Sequence, residues 1–144
     1  AVSYDGTPEP NRDLIIGEDT TKNPKYKPHG LIMHNDTIDF SSLIERTKLT
    51  PQQIDRLTNI IYNTDYRKPY YNTESHGACF NPRNALIFYN KYGKVFDYIE
   101  ICFECRNSES TSDRITIGES CNQKYDLLKK YFLSLGIKYG TVGH

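Results

Sequence analysis

The strongest β-structure signal in the chain is "ALIFYNKYGKVFDYIEICFEC", residues 85–105. Both of its halves are rich in the β-branched and aromatic residues that strands favour, and "KYG" at 91–93 separates them. Gly93 can adopt the left-handed backbone conformation that a three-residue hairpin loop requires. The stretch therefore predicts an antiparallel β-hairpin over about residues 85–104.

The register of this hairpin predicts a disulfide. If residues 91–93 form the loop, Asn90 lies opposite Lys94, and the same register extended along the ladder places Cys79 opposite Cys105. Opposed Cα atoms in an antiparallel pair are roughly 4.5–5.5 Å apart, a distance that a disulfide spans. We therefore expect a Cys79–Cys105 bond, although Pro82 lacks the N–H that a ladder strand needs.

Alternation along a strand places Cys102 and Cys105 on opposite faces. In an extended chain their sulfurs are roughly 10 Å apart, so they bond only if the strand ends between them. Pairing of Cys102 with Cys121 is a structural alternative that would tie the last helix to the sheet. A thioredoxin-type site is disfavoured here. In thioredoxins the C-x-x-C motif lies at a helix N-terminus, where the helix dipole stabilises a thiolate, whereas Cys102 and Cys105 follow a predicted strand. Cys121, at the start of the last predicted helix, is better placed for such reactivity.

Zinc binding is an alternative for the same cysteines. Four ligands would come from Cys79, Cys102, Cys105 and either Cys121 or His76. However, "CFECRN" has no glycine for the tight turn that lets backbone N–H groups reach the sulfurs. We therefore rank a disulfide first and assign no catalytic residue, metal ligand or cofactor. The disulfide candidates are Cys79, Cys102, Cys105 and Cys121.

Helix signals precede and follow the hairpin. Thr50 is an N-cap, Pro51 suits the first helical position, and Gln53 completes a capping box. They predict a helix over 51–62. Its buried face should contain Ile54, Leu57, Ile60 and Ile61.

A second helix is predicted over 121–135. Ser120 and Gln123 form its expected cap, and Gly136 ends it in a Schellman motif with Ile137 placed against the core. Its buried face should contain Tyr125, Leu128, Phe132 and Leu135.

These elements predict an α+β fold, a small antiparallel sheet packed by two or three helices. A short helix at about 40–46 and a short third strand "ITI" near 114–117 complete it, with "RNSESTSDR" at 106–114 as a polar loop. Four of the seven prolines lie in residues 1–30, which we interpret as an extended N-terminal arm or linker. Residues 31–144 form the single domain.

The composition excludes some partners and suggests a compartment. Lys plus Arg and Asp plus Glu both number 18, so no net charge attracts the chain to nucleic acid. No apolar run is long enough to cross a bilayer. An even number of cysteines is typical of a disulfide framework in an oxidising compartment. Ala1 at the start fits either removal of a secretory signal or an arbitrary boundary.

A tyrosine-rich segment, "DYRKPYYNTESHG" at 65–77, is a candidate surface for a protein partner. Tyrosine makes rigid, amphipathic contacts in interfaces. The alternative interpretation is that these rings cover the edge of the core. The candidate recognition residues are Tyr66, Tyr70, Tyr71 and His76.

The pattern C-x-x-P-R at 79–83, followed by a strand, a glycine-containing turn and I-C-F-x-C at 101–105, resembles uncharacterised secreted or lipoprotein-like proteins of Bacteroidetes-type bacteria. The resemblance covers roughly the second half of the chain. It implies a secreted, periplasmic or cell-envelope location and no catalytic residue. We therefore expect a non-enzymatic, disulfide-braced interaction domain. The alternative is a cysteine-based redox or zinc-dependent protein that uses Cys102, Cys105 and Cys121.

Overall fold

A five-stranded antiparallel sheet with two helices packed on one face forms the described part of the chain. The computed structural model describes residues 1–6, 30–64, 80–118 and 121–142. The sheet has the strand order β4-β1-β5-β6-β7, and β2 and β3 form a separate two-stranded ribbon. The α+β class is therefore confirmed. The strands are β1 Val2–Tyr4, β2 Met33–His34, β3 Thr37–Ile38, β4 Leu43–Arg46, β5 Asn84–Tyr89, β6 Val95–Cys102 and β7 Asn107–Ser110, and the helices are α1 Pro51–Asn63 and α2 Asn122–Ser134.

The predicted hairpin is present as β5 and β6, but its register changes after the first pairs. Next to the loop the expected pairing holds, since Asn90 N donates to Lys94 O at 2.8 Å. Beyond it, Phe88 lies opposite Asp97 instead of Phe96, because Phe96 is the extra residue of a β-bulge. All later pairs are displaced by one residue. The ladder therefore gives no support to the expected opposition of Cys79 and Cys105.

The predicted helix at 40–46 is wrong. Phe40–Ser42 form a single 3-10 turn, in which Asp39 accepts a hydrogen bond from Ser41 N at 2.9 Å. The chain then continues as the edge strand β4, which pairs with β1. A strand partner from the distant N-terminus overrides the local helical pattern here.

That partner comes from the segment that the sequence assigned to an arm. β1 lies between β4 and β5 in the sheet, and its three side chains are buried. Residues 2–4 are thus part of the folded sheet, and residues 7–29 of the expected arm lie outside the described residues.

The third strand of the hairpin region is also displaced from its predicted position. β7 is formed by Asn107–Ser110, inside the segment predicted to be a polar loop, and residues 114–117 are not a strand. Polar residues suffice for β7 because it is an edge strand with no buried side chain. Ile117 instead inserts into the core beside the helices.

Helix α1 begins as predicted, with one exception on its buried face. The Thr50–Gln53 capping box is present: Gln53 Oε1 accepts from Thr50 N at 2.8 Å, and Gln53 N donates to Thr50 Oγ1 at 3.3 Å. Ile54 is 48% exposed, contrary to prediction, and Leu49 packs against the core at this end. The core side chains of α1 are Leu57, Ile60 and Ile61.

Helix α2 has the predicted stripe and the predicted end. Ile137 N bonds to Phe132 O and Gly136 N to Leu133 O, which is the Schellman pattern, with Gly136 at φ +84. Its N-cap is Cys121 rather than Ser120, and the Cys121 side chain makes no capping bond. Ser120 itself lies outside the described residues. The predicted stripe Tyr125, Leu128, Phe132 and Leu135 is buried, and Tyr131 and Lys124 are buried as well.

The core has one cluster on each face of the sheet. Leu86, Ile99 and Ile101 share the face that α1 and α2 cover. The opposite face carries a smaller cluster, formed by Val2, Tyr4 and Ala85 with Leu31, Leu43 and Ile87 packed against it. None of the described helices is long and apolar enough to span a membrane.

The loop after α2, residues 136–142, is bound to the ends of three strands. Glu45 Oε2 accepts from Ser3 Oγ at 2.8 Å and from the backbone N–H groups of Lys138 and Tyr139 at 2.9 Å each. Asn84 Nδ2 donates to Tyr139 O at 2.9 Å. We call residues 136–142 the C-terminal loop, and it ties β1, β4 and β5 together at one end of the sheet.

Candidate functional site

Two of the four cysteines are paired in the tight turn between β6 and β7. Cys102 and Cys105 lie within disulfide-bonding distance and are paired as a disulfide, with their Cα atoms 5.3 Å apart. The expected Cys79–Cys105 bond is therefore wrong, and so is the alternative pairing of Cys102 with Cys121. The reason is that β6 ends at Cys102, so the extended spacing that separated the two sulfurs does not continue to Cys105. We call residues 102–107 the CxxC turn.

The CxxC turn forms without glycine. Arg106 takes the left-handed conformation that favours glycine, with φ +49. Cys105 N–H donates to Cys102 Sγ at 3.2 Å. The left-handed conformation costs a non-glycine residue roughly 1–2 kcal/mol, so surrounding contacts must offset this strain.

Those contacts reach both the core and helix α2. Phe103 inserts into the core, and its ring meets the Phe132 ring edge-on with centroids 5.3 Å apart. The Arg106 guanidinium lies 3.6 Å from Asp126 of α2. On the outer side, Glu104 and Arg83 form an ion pair at 3.4 Å.

The sulfurs of this turn are shielded from solvent. Cys102 is 3% exposed and Cys105 is 7% exposed. Cys121 is a buried cysteine outside the pair, at the N-terminus of α2. Cys79 and the candidate recognition residues lie outside the described residues; the latter are Tyr66, Tyr70, Tyr71 and His76. Within the described ranges, no three His, Cys, Asp or Glu side chains are grouped so that they could hold a metal ion.

The strand that leaves the CxxC turn is polar throughout. β7 reads "NSES" and, among the described strands, pairs with β6 alone. Its Glu109 lies directly opposite Glu100 of β6. Two like charges at directly opposed positions destabilise a strand pair.

Glu100 is held in place from the other side by a buried tyrosine. The Tyr4 hydroxyl donates a hydrogen bond to Glu100 Oε1 at 2.8 Å. This bond crosses β5, whose Ala85 is the residue paired with Glu100. Burial and the nearby charge of Glu109 raise the pKa of the Glu100 carboxyl, and the Tyr4 hydrogen bond only partly opposes this. Glu100 therefore binds a proton more readily than an ordinary glutamate.

A second carboxylate holds the chain where β7 ends. Asp97 accepts hydrogen bonds from Thr111 Oγ1 at 2.5 Å, from Ser112 Oγ, and from Tyr98 N at 3.0 Å. Burial favours the neutral form, but the Ser112 and Thr111 hydroxyls outweigh it and lower the pKa of Asp97. Asp97 thus anchors the segment that follows β7.

An exposed aromatic group lies near the free side of β4. The Arg46 guanidinium stacks over the Phe40 ring at 4.6 Å from its centroid. Partial burial raises the pKa of the Tyr89 phenol, and the charge of Arg46 partly opposes this rise. Phe40 is 51% exposed and Tyr89 is 46% exposed. We call Phe40, Arg46 and Tyr89 the edge aromatic surface.

Sequence reasoning missed this surface for a specific reason. Phe40 and Arg46 lie in a segment predicted to be a helix, and Tyr89 lies in one half of the predicted hairpin, so the predicted elements did not relate them. The sequence offers one signal, Tyr89 at the end of a predicted strand next to the turn. That signal does not indicate which residues lie near Tyr89 in the fold.

Comparisons with protein-family models, curated proteins and solved structures found no significant match.

Proposed function

We propose that the chain is a non-enzymatic interaction domain, braced by a disulfide and exported to the bacterial cell envelope. The observation that carries the proposal is the edge aromatic surface, in which the Arg46 guanidinium stacks over the exposed Phe40 ring and its charge also acts on the exposed Tyr89. Aromatic residues and arginine are the types most enriched among energetically dominant interface residues.

The stacking geometry supports a binding role for this surface. A guanidinium lying over an aromatic ring is held in one orientation, so less side-chain entropy is lost when a partner binds it. Arg46 also presents donors that a carboxylate or carbonyl of a protein partner can accept. We therefore expect a protein partner whose contact region combines apolar and acidic groups.

Three buried or partly buried charged groups of the described residues support a structural interpretation. Glu45 fastens the C-terminal loop, Asp97 fastens the segment after β7, and Lys124 Nζ donates to Ile117 O at 3.0 Å. Each of these groups holds a loop to the sheet or to a helix. None of these roles requires a substrate.

The proposed location is supported by the cysteine pair and by the sequence resemblance. Structural disulfides persist in oxidising compartments such as the periplasm and the cell surface. The C-x-x-P-R and I-C-F-x-C patterns resemble secreted or lipoprotein-like proteins. Cell fractionation of the producing bacterium tests the location: recovery in the cytosol alone contradicts it.

Site-specific photocrosslinking tests the binding role. A photoreactive phenylalanine derivative at Tyr89 is expected to give a discrete crosslinked product in cells that make the protein. Tyr62, which is exposed on α1, is the matched control position and should give little product. Equal crosslinking at both positions, or no product at Tyr89, contradicts the proposal.

The alternative class, a redox or zinc-dependent protein using Cys102, Cys105 and Cys121, has one observation in its favour. The pairing of Cys102 with Cys105 is compatible with redox chemistry. Alkylation of unreduced, unfolded protein followed by mass spectrometry distinguishes a disulfide from a zinc site. Bracing predicts that Cys102 and Cys105 resist alkylation, whereas release of one equivalent of zinc together with reactive thiols supports a metal site.

A further inference from the structure

We infer that the Cys102–Cys105 disulfide is a thiol–disulfide exchange site for a dithiol, and that its opening releases strand β7 from β6. This inference goes beyond the proposed binding function and does not depend on it. It rests on how β7 is attached to the rest of the sheet.

β7 has little attachment of its own to the sheet. It contributes no apolar side chain, and none of its four residues is buried. Burial of apolar area is the main stabilising contribution to a strand, so β7 lacks it. The opposition of Glu109 to Glu100 further weakens its pairing with β6.

Contacts at both ends and in the middle compensate for this weakness. Before β7, the disulfide fixes the CxxC turn and keeps Arg106 in its left-handed conformation. After β7, Thr111 donates to Asp97. In the middle, the hydroxyls of Ser108 and Tyr125 are hydrogen-bonded at 3.2 Å.

The disulfide is the one covalent contact among these. It closes a loop of four residues, 102–105, and so restricts the turn to conformations near the observed one. Without it, the strain at Arg106 can relax by leaving the left-handed region. That relaxation moves the first residue of β7 away from its pair with Cys102.

The hydrogen bond from Cys105 N–H to Cys102 Sγ indicates which sulfur is attacked and which one leaves. Both cysteines are buried, Cys102 more deeply than Cys105, so the turn must open locally before a thiolate of the dithiol attacks Cys105 Sγ. The Sγ–Sγ bond breaks and its electron pair goes to Cys102 Sγ, where the Cys105 N–H already donates and stabilises the thiolate. The second thiol of the dithiol then attacks the mixed disulfide. Cys105 leaves as a thiolate, and the dithiol becomes a cyclic disulfide while the protein gains two thiols.

Hydrogen exchange measured by mass spectrometry tests the release. After reduction with dithiothreitol, the backbone amides of residues 107–110 should exchange about tenfold faster or more, because the turn no longer restricts their opening. Amides of β1 and β5 should keep their oxidised rates. The same acceleration is expected in the unreduced double variant Cys102→Ser, Cys105→Ser.

Two controls separate the inference from simple unfolding. Cys121→Ser leaves the pair intact and should respond to dithiothreitol as the parent protein does. Acceleration of β1 and β5 equal to that of β7 overturns the inference, as does unchanged β7 exchange after reduction is verified by mass. Trapping with the monothiol glutathione tests the direction, because an adduct on Cys102 instead of Cys105 contradicts it.

Discussion

Strands β1 and β7 lie in the same sheet but are held there by different forces. β1 has three residues, all of them buried, and lies between β4 and β5. β7 has four residues, none of them buried, and lies at the sheet edge. A shorter strand is therefore the more firmly integrated one, because burial and position matter more than length.

The carboxylates beside the two strands show the same contrast. Glu45, next to β1, accepts hydrogen bonds from a serine hydroxyl and two backbone N–H groups. Glu109, within β7, lies opposite another carboxylate. One charge stabilises its region through three donors, and the other destabilises its strand pair.

The largest effect is expected from Glu45→Ala. Loss of the carboxylate leaves Ser3 and two backbone N–H groups of the C-terminal loop without their acceptor, at a cost of about 2–4 kcal/mol in the free energy of unfolding. Urea denaturation measures this. Glu109→Ala is the matched control on β7 and should not destabilise the protein. Similar losses in both variants would remove the contrast between the two strands.

A smaller loss is expected from Gly140→Ala in the C-terminal loop. Gly140 has φ +73, and an added Cβ would lie 2.5 Å from Asn84 Oδ1 and 2.8 Å from Arg83 Cβ. Backbone strain and the steric clash together should cost about 1–3 kcal/mol.

Gly93→Ala provides the matched control for this variant. Gly93 has φ +75, but no atom lies within 4 Å of an added Cβ, so only the backbone strain remains. The difference between the two melting temperatures then measures how tightly the C-terminal loop packs. Equal losses would mean that the loop accommodates the methyl group.

Acid should weaken the segment that follows β7. The pKa of Asp97 is lowered in the folded state, so its stabilisation is present above about pH 4, the ordinary value for aspartate, and is lost as the pH falls through the folded pKa. Asp97→Asn should remove this acid dependence and cost about 1–2 kcal/mol at neutral pH. Urea denaturation across an acid series measures both. A variant with an unchanged acid profile would contradict the assignment.

The smallest expected effect is a gain in stability. Glu109→Gln removes the charge opposite Glu100 and should stabilise the protein by about 0.2–1 kcal/mol at neutral pH. The gain should shrink in high salt, which screens the repulsion. Glu104→Gln on the CxxC turn is the control, since Glu104 is paired with Arg83 and its change should not stabilise. No gain for Glu109→Gln would mean that the Glu100 and Glu109 carboxylates point away from each other and do not repel measurably.

Local patterns predicted the helices better than the strands. The Thr50–Gln53 capping box and the Gly136 stop depend on residues three to five positions apart, and both are present as predicted. The Phe96 bulge shifted the hairpin by one residue and invalidated every pairing extrapolated past it. Extrapolation of a register fails because a single inserted residue moves all later pairs.

The candidate site was only partly predictable. Cys102 and Cys105 were among the disulfide candidates, but their pairing with each other was considered incompatible with an extended strand. The left-handed conformation of Arg106 allows the turn, and no local signal distinguishes this arginine from others. The edge aromatic surface was not predicted because its residues come from different strands and one turn.

The sequence alone determined the α+β class, the two helices with the N-cap of α1 and the C-terminal end of α2, and the position of the central hairpin, because hydrophobic periodicity and capping act over a few residues. The tertiary structure decided that residues 2–4 join the sheet, that 43–46 form a strand, and that Cys102 bonds to Cys105. These outcomes depend on partners distant in the chain or on a single bulge and turn. Such contacts gain their free energy only once the rest of the fold is in place.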